Sequence, residues 1–308
     1  MQLPAGATRA ELWGHNKKVR HSDEELAALA EAAALEALLL YKQPVTRLPA
    51  LHARAPLTTM SILMCHELAS LAGIEACVRL QELLLDDVPA VDAGDAFARM
   101  RELPELTTLE LRGAHWTRLP AHAGELPSLR ALHFRDCPAL DVDSVCAAFA
   151  RSTTLRSLRV EAIVDRFAIA IPPSIARLAS LEELVVTGVI ARVPDEVAEL
   201  QRLEALELAG GTFATLPDGL GELRSLRRLK IRSKKLTALP RSLAALEELE
   251  ELEVQAPLKA LPSDLELPAL HTLDVRATKL TSLPTALAGR AYRMLRVPDG
   301  VAARATAK

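Results

Sequence analysis

Four cysteines and eight histidines are the side chains that could act as nucleophiles or bind transition metals. Cys65, Cys77, Cys137 and Cys146 form no Cys-x-x-Cys pair and no spacing typical of a zinc site. No two histidines stand four residues apart around a glutamate, as the helix of a metalloprotease would require. The sequence therefore predicts neither an enzyme nor a metal-binding protein.

Cofactor binding, nucleic-acid binding and membrane insertion are also not expected. The chain contains no Gly-x-Gly-x-x-Gly and no P-loop pattern, and Gly210-Gly211 fits a turn after a strand. The 37 basic and 40 acidic residues give a net charge of −3, so no overall positive field attracts nucleic acid or anionic lipid. The longest apolar run, residues 26–41, is interrupted by Glu31 and Glu36, which argues against a membrane span.

A repeated phrase organises the whole chain. Leu-x-x-Leu-x-(Leu/Val/Ile) recurs at intervals of 21 to 26 residues. Between copies lie an apolar residue and Pro, as in Leu216-Pro217 and Leu239-Pro240, followed by leucines at three-residue steps. Combined, the pattern is that of a leucine-rich repeat. Clear copies start at Leu203, Leu226, Leu249 and Leu270, and weaker copies start at Leu35, Leu57, Leu80, Leu106, Leu129, Leu155, Leu181 and Tyr292.

Each part of this repeat has a physical reason. Alternate residues of a short strand point inward, which explains the Leu-x-Leu spacing, and Pro suits the first turn of the returning helical segment. One repeat cannot bury its own apolar side, so neighbours stack and share a continuous core. The predicted fold is an α/β repeat solenoid, a leucine-rich-repeat horseshoe with a parallel concave sheet of about 11–12 strands and an N-terminal cap helix.

The same pattern predicts the domain organisation. Residues 1–34 are expected to form a basic leader and a cap helix at about 22–34, where Ser22 and Glu25 make a capping box. Residues 35–298 form the solenoid, and residues 299–308 form a disordered tail. Three longer intervals, which start at Leu80, Leu129 and Leu155, contain insertions.

The ninth position of each repeat is expected to point inward. In extracellular repeats it is usually Asn, whereas here Cys65 and Cys137 occupy it in two repeats, and Gln43, Ile163 and Lys234 in three others. We interpret the two cysteines as small buried thiols with a structural role.

The concave face is the candidate binding surface. Its strands alternate in charge, so that Glu207, Lys230 and Glu253 are expected to be lateral neighbours, with Arg232 two residues beyond Lys230. These charges could form an ionic ladder that sets strand register, or they could select a partner. A second group is less compensated, with Glu110, Asp136 and Glu161 as its nearby acids, and could receive an acidic partner segment or simply be solvated: Arg112, Arg130, His133, Arg135, Arg156 and Arg159.

An apolar group occupies outward positions near the start of the solenoid. It consists of Leu39, Tyr41, Leu63, Met64 and Leu84. An exposed apolar patch would mark a contact surface. Alternatively, the N-terminal segment folds over these side chains.

Repeats of about 23 residues with a Leu-Pro step resemble the cytosolic Ras-group type, and in particular repeat domains of the Xanthomonas outer protein L family of bacterial type III effectors. The resemblance rests on FRDCPALDV (134–142), IRSKKLTALP (231–240) and MLRVP (294–298), and it covers about residues 22–298. It implies that the repeats bind a host protein after delivery into the host cytoplasm. We also expect the chain to be a monomer.

In that family a separate C-terminal domain performs ubiquitin ligation. Only ten residues follow Pro298, and no cysteine is followed by Asp two residues later, the arrangement of another family of bacterial ubiquitin ligases. We therefore expect no ligase activity from this chain. The alternatives are a non-secreted cytoplasmic scaffold, or the recognition part of a ligase whose catalytic domain lies outside this chain.

Overall fold

The computed structural model describes residues 6–14, 26–52, 55–163 and 167–301. The chain divides into two compact units, Met1–Leu155 and Arg156–Lys308. Within the described ranges, no helix is both long and apolar enough to cross a lipid bilayer.

The first unit contains six parallel strands, each paired with the next along the chain. They are β1 (Arg9–Trp13), β2 (Ala37–Tyr41), β3 (Thr59–Leu63), β4 (Glu82–Asp86), β5 (Thr108–Arg112) and β6 (Ala131–Arg135). The same unit contains the helices α1 (Ala93–Met100) and α2 (Val142–Phe149), of which α2 follows β6, and the 3-10 helices Ala28–Glu31, Ile74–Ala76 and Ala121–Glu125.

The second unit contains seven strands, again parallel and paired in chain order. They are β7 (Ser157–Glu161), β8 (Glu183–Thr187), β9 (Ala205–Gly211), β10 (Arg228–Ser233), β11 (Glu251–Gln255), β12 (Thr272–Asp274) and β13 (Met294–Arg296). The returning segments form 3-10 helices at Pro173–Arg177, Asp195–Glu199, Asp218–Glu222 and Arg241–Ala245.

The core of each unit is built from the leucines of the repeat. The inward residues of neighbouring strands lie side by side, as Leu83 does with Leu109 and Leu206 with Leu229, and all four are at most 1% exposed. Each repeat thus covers the apolar side of the next. The predicted leucine-rich-repeat fold is confirmed.

The first strand and the length of the cap helix differ from the prediction. Strand β1 lies in the segment assigned to a basic leader and pairs with β2, which makes thirteen strands in the described residues rather than 11–12. The predicted capping box at Ser22 and Glu25 lies outside the described residues. The described part of the predicted cap helix includes the short 3-10 helix Ala28–Glu31, which ends before residue 34.

Two of the longer repeats contain a full α-helix where shorter ones, such as those that start at Leu203 and Leu226, form a short 3-10 helix. Helix α1 lies in the interval that starts at Leu80, and α2 in the one that starts at Leu129. An Asp side chain caps each helix: Asp92 accepts from the Asp95 amide at 2.9 Å, and Asp141 accepts from the Asp143 amide. The extra residues therefore form helix rather than a loop insertion.

A single arginine holds the backbone of the last complete repeat. The guanidinium of Arg290 donates to the carbonyl oxygens of Glu266 and Leu267 at 2.6 and 2.7 Å, and to that of Pro268 at 2.7 Å. A longer bond of 3.4 Å reaches the carbonyl oxygen of Leu270. Leu267 is fully buried and has a φ of 43°, which is rare for a residue with a side chain, so the arginine stabilises a strained turn.

Candidate functional site

The candidate surface is the side of each sheet that carries the outward residues of the strands, which we call the open face. In the first unit, strand pairing aligns these residues in lateral rows. One row contains Trp13, Tyr41, Leu63 and Asp86 in successive strands. Because parallel strands lie about 4.8 Å apart, side chains in one row can touch.

Six apolar side chains meet on the open face of β1–β4 and the residue after β3. We call them the apolar cluster: Trp13, Leu39, Tyr41, Leu63, Met64 and Leu84. Trp13 and Met64 are 41% and 37% exposed, and the other four are half-buried. The ring centroids of Trp13 and Tyr41 are 4.9 Å apart, and the Lys42 ammonium lies 5.0 Å from the Tyr41 centroid.

The structure bears on both interpretations of this group. The five outward residues named from the sequence lie on one face, and β1 adds Trp13, which sequence reasoning missed. The described N-terminal strand extends the sheet beside β2 rather than folding over it. Residues 1–5 and 15–25, the remainder of that N-terminal segment, lie outside the described residues.

The predicted basic group is more compensated than the sequence indicated. In the first unit, Arg112 Nε donates to Glu110 Oε1 at 2.7 Å. Burial tends to raise the pKa of Glu110, but the Arg112 hydrogen bond and the positive charges of Arg112, Arg135 and His133 outweigh it, so the pKa is lowered. Arg130 is exposed at the start of the next strand.

In the second unit the two predicted arginines bind glutamates of the neighbouring repeat. Arg156 Nε lies 2.9 Å from Glu182 Oε1. Arg159 binds Glu183 with two nitrogens, at 2.7 and 3.1 Å, and Ser157 Oγ donates to Glu183 at 2.6 Å. Neither glutamate is among the nearby acids that the sequence indicated, because each lies in the next repeat along the chain. These pairs neutralise two of the six residues offered to an acidic partner.

The row Glu207, Lys230 and Glu253 has the register that the spacing predicts. Lys230 of β10 lies opposite Glu207 of β9 and Glu253 of β11. Among the described residues, no ion pair within 4.0 Å joins Lys230 to either carboxylate. The Gln255 amide donates to Glu253 instead, at 2.7 Å.

Arg232 differs from Lys230 because neither of its lateral neighbours in the sheet is acidic. Its partner on β11 is Gln255, and on the β9 side the register shifts by one residue at Ala209-Gly210. This β-bulge is accommodated by Gly210, whose φ is 85°. In the part of the chain that the structure describes, the exposed guanidinium of Arg232 makes no hydrogen bond or ion pair.

A groove opens in the second unit at the carboxyl ends of β7–β12. Its volume is about 580 Å³, and among the described residues that line it the charged side chains are Arg232, Lys234 and Lys279. Ala162 and Ile163 line its other end. We call this feature the basic groove. Sequence reasoning missed it, since the repeat pattern placed Ile163 and Lys234 inward, whereas Ile163 is 70% exposed and Lys234 is exposed.

The thiols expected to point inward do so. Cys65 Sγ donates to the carbonyl oxygens of Leu40 and Leu63 at 3.8 and 3.5 Å. Cys137 Sγ makes the equivalent bonds, to Leu111 of the preceding repeat at 3.5 Å and to Arg135 at 3.4 Å. Gln43 Nε2 likewise donates a hydrogen bond to the carbonyl oxygen of Leu12 at 3.1 Å. These side chains link one repeat to the previous one. Their structural role is the one predicted for Cys65 and Cys137.

Buried thiols of this kind should be slow to react. Burial raises the pKa of Cys137 to about 11, and burial together with the Glu75 charge raises that of Cys77 to about 11. At pH 8 about one such thiol in a thousand is ionised, against about one in four at an ordinary pKa near 8.5. We expect iodoacetamide to modify Cys77 and Cys137 at least about a hundredfold more slowly in the native protein than in guanidinium chloride. Mass spectrometry of the alkylated protein measures both rates. Rates within tenfold of each other would contradict the assigned burial.

Comparisons with known proteins give the fold and no family. No family model matches the sequence, and no curated protein sequence is significantly similar to it. A leucine-rich-repeat protein of Leptospira interrogans has a similar structure, with a TM-score of 0.61 and 21% identity over 82% of this chain and 69% of that one. The receptor TLR13, solved in complex with the RNA ssRNA13, aligns with a TM-score of 0.56 and 17% identity over 86% of this chain and 45% of the receptor.

The repeat domain of the type III effector XopL is also similar. It shares 22% identity over 93% of this chain and 86% of that domain, with a TM-score of 0.47. Likeness at this level does not assign the effector family.

Proposed function

We propose that this chain is a protein-interaction module whose main contact surface is the apolar cluster of the first unit. The observation that carries the proposal is the grouping of Trp13, Tyr41 and Met64 on one open face, with two of them among the most exposed large apolar side chains. Aromatic residues and Met are enriched at the centres of protein interfaces, and a few such anchors supply most of the binding energy.

The surroundings of the cluster favour a protein over a nucleic acid. Glu11 lies beside Leu39 in one lateral row, and Asp86 lies beside Leu63 in the next. These carboxylates repel phosphate, and the net charge of −3 gives no compensating field. RNA could still stack on Trp13 and Tyr41, as bases do on exposed aromatic rings. RNA is therefore the rival ligand.

We further propose that the module is not itself an enzyme. Among the four cysteines, all are buried, and the pKa values of Cys65, Cys77 and Cys137 are raised. A nucleophilic cysteine needs the opposite, a lowered pKa and access to substrate.

A narrower proposal concerns the partner and the route to it. The resemblance of residues 134–142, 231–240 and 294–298 to type III effector repeats supports a host protein as the target and delivery into the host cytoplasm. The alternative is a scaffold that stays in the cell that makes it. A reporter fused to the full chain, assayed for translocation in wild-type and secretion-deficient strains, separates the two: equal signals in both strains favour the scaffold.

The binding proposal is tested on the apolar cluster itself. We expect the double substitution Trp13→Ala/Met64→Glu to weaken capture of the protein partner about tenfold or more, because it removes an anchor and places a charge among apolar groups. Affinity capture from host lysate followed by titration of the purified partner provides the measurement.

Val78→Glu is the matched control. Val78 is 51% exposed and lies in a turn of the same unit, off the open face. It introduces the same charge and should leave binding within twofold of wild type. Equal binding of the partner by the wild type, Trp13→Ala/Met64→Glu and Val78→Glu would contradict the proposal, as would capture of RNA alone.

A further inference from the structure

We propose that the apolar cluster, where it crosses β2 to β4, binds an amphipathic helix of the partner, and that Asp86 pairs with an arginine or lysine about one turn beyond the apolar residues of that helix. This proposal deepens the proposed function and rests on it, since it names the kind of segment that the cluster receives. It is supported by the order of side chains across these strands, the position of the Asp86 carboxylate and the spacing of the strands.

The row of outward side chains that crosses these strands changes from apolar to acidic. Tyr41, Leu63 and Asp86 are lateral partners in β2, β3 and β4, and all three are half-buried. Leu39 and Leu84, two residues earlier on β2 and β4, lie beside the row and are also half-buried. A ligand that covers Tyr41 and Leu63 therefore reaches Asp86 next.

The residues that directly follow the three strands repeat this change of character. They are Lys42, Met64 and Asp87 in chain order. The Lys42 ammonium lies 5.0 Å from the centroid of the Tyr41 ring, so the surface is positive at its Tyr41 end and negative at its Asp86 end. A basic residue of a ligand is repelled from the first end and attracted to the second.

No described side chain binds the Asp86 carboxylate directly. Among the residues that the structure describes, none donates a hydrogen bond to it or forms an ion pair with it within 4.0 Å. Its lateral neighbour Arg112 binds Glu110 at 2.7 Å, and Asp87 lies 2.9 Å from His66 Nε2. The neighbouring charged groups are thus engaged elsewhere, and Asp86 remains available to a cation of a ligand.

The surroundings of Asp86 make its charged form costly. Burial raises the pKa of Asp86, and the positive charge of Arg112 opposes that rise. The negative charges of Asp87, Glu110 and Asp136 add to it. A cation of a ligand would stabilise a carboxylate that the protein alone stabilises poorly, which favours a basic residue at this position.

The spacing of the strands matches one face of a helix. Tyr41 and Asp86 are two strand spacings apart, or about 9.6 Å. Helix residues i and i+7 lie on one face about 10.5 Å apart, with i+3 and i+4 between them. In an extended segment, side chains on one face recur every ~6.7 Å, so two steps span about 13 Å and overshoot Asp86. A helix with apolar residues at i, i+3 and i+4 and a basic residue at i+7 therefore fits the row.

Designed helical peptides provide the probes. Fluorescein-labelled peptides of about 18 residues, rich in alanine and glutamine so that they form helices, are titrated with the full chain at constant pH and salt. Fluorescence anisotropy gives each Kd. The arginine peptide has leucines at i, i+3 and i+4 and arginine at i+7, the glutamate peptide has glutamate at i+7, and the proline peptide is the arginine peptide with a helix-breaking proline at its centre. We expect the arginine peptide to bind at least tenfold more tightly than the other two.

Asp86→Lys should raise the Kd of the arginine peptide at least tenfold and lower that of the glutamate peptide by a similar factor, because the charge pair is then reversed. Glu82→Lys is the matched control. Glu82 is exposed on the same face of β4, about 13 Å from Asp86, and the substitution changes the net charge equally. It should shift either Kd by less than threefold. Circular dichroism confirms that both variants fold.

Three results with the peptides would overturn the proposal. They are equal losses in Asp86→Lys and Glu82→Lys, no binding of the arginine peptide up to about 1 mM protein, and equal binding of the proline peptide. A second copy of this chain is the alternative occupant of the face. Sedimentation velocity of the chain alone tests it: a dimer that Leu63→Glu disrupts would also overturn the proposal.

Failure of the Asp86 pairing and failure of the apolar cluster give different results. If Trp13→Ala/Met64→Glu loses the captured partner while Asp86→Lys binds it as tightly as the natural chain, the basic helix is wrong as ligand class and the protein-interaction function stands. If both variants bind the partner as tightly as the natural chain, the proposed contact surface is itself wrong.

Discussion

Truncation of one core leucine to alanine, Leu243→Ala, is expected to lower the free energy of unfolding by about 2–5 kcal/mol. Leu243 is 1% exposed in the 3-10 helix Arg241–Ala245, where it packs between its own repeat and the one before it. A cavity there weakens the stacking of two neighbours at once, since repeats are stabilised by the interfaces between them. Urea unfolding followed by circular dichroism gives the measurement.

The matched control removes an equally apolar side chain from the surface. Ile163 is 70% exposed, so Ile163→Ala should change the free energy of unfolding by no more than about 0.5 kcal/mol. A loss below about 1 kcal/mol for Leu243→Ala, or equal losses for both variants, would show that the leucines of the returning segment are not core residues.

The second large effect is expected at Arg290. Arg290→Ala removes the donor to four backbone carbonyl oxygens between Glu266 and Leu270 and should cost about 2–3 kcal/mol. Arg290→Lys should not restore the loss, because a single ammonium cannot match the fork of a guanidinium. Urea unfolding measures the change, and faster hydrogen exchange of the amides at 266–270 would locate it.

Arg293→Ala serves as the control for Arg290. Arg293 is exposed, and its side chain has no hydrogen bond or ion pair among the described residues. This substitution should leave stability within about 0.5 kcal/mol. If Arg290→Lys were as stable as the natural protein, the bonds to the turn would contribute little, and charge alone would account for the role of Arg290.

The sequence predicts the repeats well because the positions of the buried residues recur with the period of the repeat. Residues such as Leu206 and Leu229 recur at fixed spacing, so their pattern indicates both strand and register. Strand β1 was missed for the opposite reason. It turns only Ala10 and Leu12 into the core and has no leucine phrase before it, so it depends on pairing with the edge of β2.

The candidate surfaces were predicted less completely because they depend on contacts between repeats. Arg159 meets Glu183 only through the lateral register of β7 and β8, across 24 residues of sequence. The basic groove depends on the bulge at Gly210 and on the outward turn of Ile163. A consensus position does not encode either feature, because each is a local departure from the repeat.

All four cysteines lie between residues 65 and 146, so every thiol belongs to the first unit and the second has none. Alkylation kinetics in dilute denaturant would therefore monitor the opening of one half of the chain alone. Circular dichroism averages over both halves. Comparing the two signals would reveal whether the halves melt together or in sequence, without introducing a label or a mutation.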